Sequence, residues 1–112
     1  MVNVRNQPHF YMVTFDIINS RGKESLYHAV EKALKDELGD EHYYRVVKQC
    51  VLVETLADKR EIGKIIKGIL GNECNILIVR LQPGQAYRIV DPAHKANAAK
   101  FFKRLNDYEG PL

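Results

Sequence analysis

The sequence predicts an α+β fold built on a mainly antiparallel sheet. Strand-like runs rich in aromatic and β-branched residues alternate with stretches whose apolar residues repeat every three or four positions, as in helices. The predicted order within the 112 residues is strand, helix, one or two strands, helix, strand, strand, helix. This order fits a split βαβ plait of the ferredoxin-like kind, with helices on one face of the sheet and an extra C-terminal helix.

The first strand and the first helix follow from composition and spacing. The run 10–18 is rich in aromatic and β-branched residues and leads into the turn-forming run 19–22. From 23 to 38, apolar residues fall on one side of a helix, and Gly39 supplies its C-terminal stop. The run 43–56 is too long for an ordinary strand, so we expect one bent strand or two short ones.

The second helix and the following strands have equally clear boundaries. Asp58 and Glu61 stand three residues apart, as in a capping box, and Gly71 ends the apolar helical stripe that follows them. The run 75–81 is an apolar strand, and a Pro-Gly turn leads into 86–90 as its expected hairpin partner.

A third helix and the length of the chain complete the expectation of a single domain. Asp91 followed by Pro92 is typical of a helix start, so we expect a helix over about 92–106. The whole chain, 1–112, then forms one domain with its core in about 10–90.

No apolar stretch approaches the roughly 20 residues that cross a bilayer, and no secretory-signal pattern is present. We therefore expect a soluble, cytoplasmic protein without a membrane partner.

The charge and the cysteine content limit the kinds of functional site that we expect in this protein. The formal net charge is +3, with 5 basic and 7 acidic residues up to position 44 and 12 basic and 7 acidic residues after it. This excess would suit a polyanionic partner, although a solvated lysine-rich helix surface gives the same count. Cys50 and Cys74 lie in strand-like runs without metal-ligand spacing, so we expect reduced core residues. Glycine-rich phosphate-binding motifs and nucleophile-elbow motifs are not found.

Strand alternation draws attention to Asp16. Alternate residues of the first strand, from Tyr11 to Ile17, are wholly apolar and should face the helices. Asp16 belongs to the other face, which is also largely apolar, so we expect that face to be covered by a second subunit or by the C-terminal helix. Two interpretations remain open. The carboxylate accepts hydrogen bonds from Ser20 or the backbone of the run 19–22, or it binds Mg²⁺ or Mn²⁺.

Short segments of the sequence resemble a known family. An apolar strand that closes with Val13-Thr14-Phe15-Asp16-Ile17, the run 45–54 (RVVKQCVLVE) and the run 75–81 (NILIVRL) after the second helix carry the resemblance. They are similar to the CRISPR-associated protein two family and its virulence-associated protein D relatives, over about residues 10–90.

The resemblance implies a small ferredoxin-like homodimer that acts as an endonuclease on RNA or double-stranded DNA in antiviral defence. It also implies that Asp16 of each copy shares one Mg²⁺ or Mn²⁺ ion. In such a nuclease Ser20 or Arg21 would orient the scissile phosphate, and Arg45 and Lys48 would contact the nucleic-acid backbone. The alternative is a noncatalytic dimeric scaffold that binds nucleic acid or a partner protein such as an integrase.

Overall fold

The described part of the chain folds as an α+β sandwich of one sheet and three helices. A computed structural model describes residues 7–18, 24–39, 43–47, 49–72, 74–84 and 95–108. Within these ranges, no helix is long and apolar enough to cross a membrane. The elements are β1 (His9–Ile17), α1 (Glu24–Leu38), β2 (Tyr43–Val47), β3 (Cys50–Thr55), α2 (Lys59–Leu70), β4 (Cys74–Leu81) and α3 (Lys95–Asp107).

The four described strands form one antiparallel sheet in the order β2-β3-β1-β4. The central strand β1 pairs with β3 on one side and β4 on the other, so that Val13 stands opposite both Val51 and Ile78. Helix α1 connects β1 to β2, and β3 lies between these two strands. This is the split βαβ arrangement of a ferredoxin-like plait, as expected. The run 43–56 resolves into two short strands that pair as a hairpin, with a register shift between Arg45 and Val47.

Helices α1 and α2 cover one face of the sheet, which we call the α1–α2 face. The first-strand residues predicted to face the helices are all buried here, together with core residues of α1 and α2; Val13, Val30, Leu34, Ile62 and Ile66 are fully buried. The predicted cap of α2 is formed, because the Asp58 carboxylate accepts a hydrogen bond of 2.9 Å from the Glu61 backbone N–H.

Helix α3 covers part of the opposite face, which we call the α3 face. The expected C-terminal helix is therefore not on the same face as α1 and α2. A second apolar cluster joins α3 to the sheet and consists of Phe10, Leu52, Leu81, Ala98, Phe101 and Leu105. The Arg104 guanidinium also donates two hydrogen bonds, of 2.6 and 3.0 Å, to the Glu54 carboxylate on β3. This paired geometry fixes the helix across the sheet.

Two expectations fall on other parts of the chain. The predicted strand over 86–90 and the predicted helix start at Asp91 and Pro92 lie outside the described residues. The described part of the third helix begins at Lys95 and ends at Asp107, one residue beyond the expected end.

Candidate functional site

The end of the α3 face that α3 leaves uncovered contains a cleft. We call this region the open end; its side chains come from Thr14, Asp16, Cys50, Asn75 and Leu77. The cleft has a volume of about 550 Å³. Leu77 is 57% exposed, and Ile18, just beyond β1, is 44% exposed. The open end therefore combines polar oxygen and nitrogen atoms with apolar surface that one chain does not bury.

Asp16 is exposed in this single chain, so the C-terminal helix, one of the two expected covers of this face, does not extend over it. The physical reason is the position of α3. This helix lies over β2 and β3, and its apolar cluster meets β1 at Phe10 and Met12, four or more residues before Asp16. Helix α3 thus covers the apolar residues at the start of β1. The end of β1 near Asp16 remains uncovered and forms part of the open end.

A buried tyrosine hydroxyl connects Asp16 to the hairpin between β2 and β3. The Tyr27 hydroxyl lies 3.5 Å from Oδ1 of Asp16 and can donate a hydrogen bond to it. The same hydroxyl accepts from the Ile17 backbone N–H and from the Gln49 amide, each at 3.3 Å. Because Tyr27 is only 4% exposed, its ring is held by the core while its hydroxyl reaches the edge of the cleft. This arrangement restricts the position of the Asp16 carboxylate.

Sequence reasoning did not select Tyr27, Gln49 or Asn75. A signal for Tyr27 was present, because it precedes Val30 by three residues and Leu34 by seven and so lies on the same side of α1. Asn75 becomes a neighbour of Asp16 only through the pairing of β1 with β4, in which the two residues stand directly opposite each other. A single sequence does not reveal that register.

The oxygen atoms at the open end are of the type that Mg²⁺ and Mn²⁺ prefer. Asp16 offers a carboxylate, and the exposed amide of Asn75 lies across from it on the same face. The described residues contain no group of three or more His, Cys, Asp or Glu side chains arranged to hold a metal. Within the described residues, the candidate ligands at the open end are therefore the Asp16 carboxylate and the Asn75 amide oxygen.

Of the other predicted site residues, Arg45 is the one that the structure describes, and it does not lie beside Asp16. Arg45 stands opposite Val51, whose side chain belongs to the α1–α2 face, so Arg45 and Asp16 of one chain lie on opposite faces. The Arg45 guanidinium lies 3.4 Å from the Glu31 carboxylate. Lys48, Ser20 and Arg21 lie outside the described residues, and their roles stay predictions.

The two cysteines are free thiols, half-buried, on opposite faces of the sheet. Cys50 lines the cleft, and burial raises the pKa of its thiol. The thiol is therefore uncharged at neutral pH, and it adds no negative charge beside Asp16. Cys74 packs against the α1–α2 core, and its thiol lies 3.3 Å from the carbonyl oxygen of Gly71.

Comparison with known proteins gives no assignment. No family model matches the chain, and no curated protein matches it in sequence. The placement of residues in the fold and the short sequence motifs carry the functional argument.

Proposed function

We propose that this protein is a homodimeric endonuclease that uses Mg²⁺ or Mn²⁺ to hydrolyse phosphodiester bonds in RNA or double-stranded DNA. The observation that carries the proposal is the position of Asp16. Its carboxylate is exposed in a cleft at the open end, beside an amide and next to apolar surface that one chain leaves exposed. The resemblance to the CRISPR-associated protein two family supports the same residue as the metal ligand.

The exposed apolar surface around Asp16 supports the proposal that a second copy of the chain covers it. Leu77 and Ile18 are the large apolar residues that the described structure leaves exposed near Asp16, and their contact with water is unfavourable. Pairing of two copies through a two-fold axis would use the same patch on both and bury these side chains. It would also bring together two Asp16 carboxylates, which repel each other unless a cation lies between them. Dimer formation and cation binding are thus expected to support each other.

The chain's own residues would hold and orient the reacting groups. Asp16 of each copy would bind the cation, and the Tyr27 hydroxyl would keep the Asp16 carboxylate directed into the cleft. A bound ion would activate a water molecule and offset negative charge on the scissile phosphate. The side-chain amides of Asn75 and Gln49, which also line the cleft, can donate hydrogen bonds to phosphate oxygens. Cys50, as an uncharged thiol, leaves the approach of an anionic substrate unopposed.

The test is a cleavage assay combined with a measurement of molecular mass. Labelled single-stranded RNA and double-stranded DNA are incubated with the protein in Mg²⁺, in Mn²⁺ and in excess chelator, and the oligomeric state is measured by light scattering. We expect a dimer that cuts at least one substrate with metal and neither substrate with chelator. A protein that is only monomeric, or that cuts equally well in chelator, would contradict the proposal. A dimer that cuts nothing in either metal would favour the noncatalytic scaffold.

A further inference from the structure

A row of basic side chains crosses the outer surface of α2, on the side of the protein away from Asp16. Arg60, Lys64 and Lys67 are spaced by four and three residues, so all three lie on one side of the helix, and all are exposed. At a rise of about 1.5 Å per residue they extend over about 10 Å. We call these three residues the α2 basic row. The opposite side of α2 is buried in the core through Ile62 and Ile66.

The charges of this row are not neutralised within the described part of the chain. No ion pair among the described residues involves Arg60, Lys64 or Lys67. Helix α3 offers a direct comparison, since α2 and α3 each contain four basic residues and one acidic residue. In α3, however, Lys103 pairs with Asp107 at 2.8 Å and Arg104 pairs with Glu54 at 2.6 Å. Of these two helices with equal charge, α2 leaves more of its positive charge available to a partner.

Helix stability does not account for this arrangement. A basic residue near the C-terminus of a helix interacts favourably with the helix dipole, which suits Lys67. Arg60 lies in the first turn, where the dipole disfavours positive charge. Gly68 follows Lys64 by four residues, is exposed, and would meet nothing within 4 Å if it carried a side chain. Core packing therefore does not require a glycine there, and the bare backbone leaves room for a close approach from outside.

We propose that the α2 basic row binds the phosphate backbone of a nucleic-acid duplex, without base recognition. A regular row of exposed positive charges matches the closely spaced charges of a duplex. A membrane surface fits less well, because α2 has already buried its apolar side in the core and has none to insert into lipid. A protein partner would need apolar residues at the centre of the contact, and the row has none. The expected ligand is therefore recognised through charge alone.

This surface differs from the cleft in position and in purpose. Asp16 belongs to the α3 face, whereas α2 covers the opposite face of the same sheet. A duplex on the α2 basic row would be held away from the cleft of that chain. The inference does not depend on catalysis, because binding by this row would persist in a protein that cuts nothing.

The test compares two triple variants that remove the same charge. R60Q/K64Q/K67Q removes the row, and K32Q/K100Q/K103Q removes three exposed lysines of α1 and α3. Glutamine keeps helix propensity close to that of lysine and arginine, and circular dichroism checks the fold. Binding of labelled DNA and RNA duplexes of about 20 base pairs is measured by fluorescence anisotropy over roughly 50 to 200 mM salt. Excess chelator prevents metal-dependent cleavage, so the result is independent of the proposed nuclease.

We expect the row variant to bind duplex at least about tenfold more weakly at the lowest salt. The slope of log affinity against log salt concentration should become less steep by about 0.9 for each of the three lost phosphate contacts, about 2.7 in all. The control variant should change the slope by less than about 1. Equal losses in the two variants, an unchanged row variant, or a parent protein that does not bind duplex would each overturn the inference. Tighter binding of the parent to vesicles of anionic phospholipid than to duplex would overturn the choice of nucleic acid as the ligand.

Discussion

Replacing Asp16 by asparagine is expected to reduce metal-dependent cleavage by about 100-fold or more, comparable to the loss of a group that stabilises transition-state charge. Asparagine has the same shape but carries no negative charge, so two copies would no longer attract a divalent cation. Its side-chain oxygen can still accept the hydrogen bond from Tyr27, so the folded chain should be retained. The measurement is the initial rate of cleavage of labelled RNA and DNA at saturating Mn²⁺ and Mg²⁺.

The matched control is Asp36→Asn. Asp36 is also an exposed aspartate, but it lies on α1 and is not part of the cleft. The control variant should cut as fast as the parent protein, which separates loss of a metal ligand from loss of one surface charge. Comparable cleavage by the Asp16 variant and the parent would show that another residue holds the metal, or that a contaminating nuclease produces the signal.

Replacing Phe101 by alanine is expected to lower the free energy of unfolding by about 3 to 5 kcal/mol. Phe101 is fully buried, and its ring packs edge-on against those of Phe10 and Tyr44. Alanine would leave a cavity between α3 and the sheet, which is where α3 makes its apolar contact. Urea unfolding followed by circular dichroism measures the change, with the dependence on urea concentration compared between variants.

Phe102→Ala is the control for this prediction. Phe102 is the neighbouring residue of the same type, but it is only partly buried at the edge of the same cluster. Loss of its ring should lower the free energy of unfolding distinctly less than Phe101→Ala does, because a partly exposed ring buries less apolar area in the folded state. Equal losses for the two variants, or a loss below about 1 kcal/mol for Phe101→Ala, would mean that α3 is not anchored through Phe101.

The fold was largely predictable because its signals are local. The β-branched and aromatic content of β1, the apolar repeat of α1 and the Asp58 cap of α2 each specify one element within a short window. The alternation along β1 also predicted correctly that Phe15 and its alternate neighbours face the helices. Once the order of the strands and helices is known, a chain of this length can form few sheet topologies.

The extent of α3 on its face of the sheet and the surroundings of Asp16 were not predictable, because they depend on distant contacts. The sequence predicts the C-terminal helix as one of two covers for this face, but only the packing of Phe101 on Phe10 shows that α3 covers the end of the face away from Asp16. Likewise, the proximity of Asn75 to Asp16 results from strand register, which no local pattern specifies. A basic residue such as Arg45 looks available in the sequence, yet it lies beside Glu31 on the other face.

The measurement that tests the central claim most directly is a calorimetric titration of the protein with Mn²⁺, with and without the Asp16→Asn substitution. If Asp16 of two copies shares one cation, the parent protein should bind one ion for every two chains, and the Asp16→Asn variant should bind none at that affinity. One ion for each chain, or the same stoichiometry and affinity in the Asp16→Asn variant, would contradict a shared site at the open end.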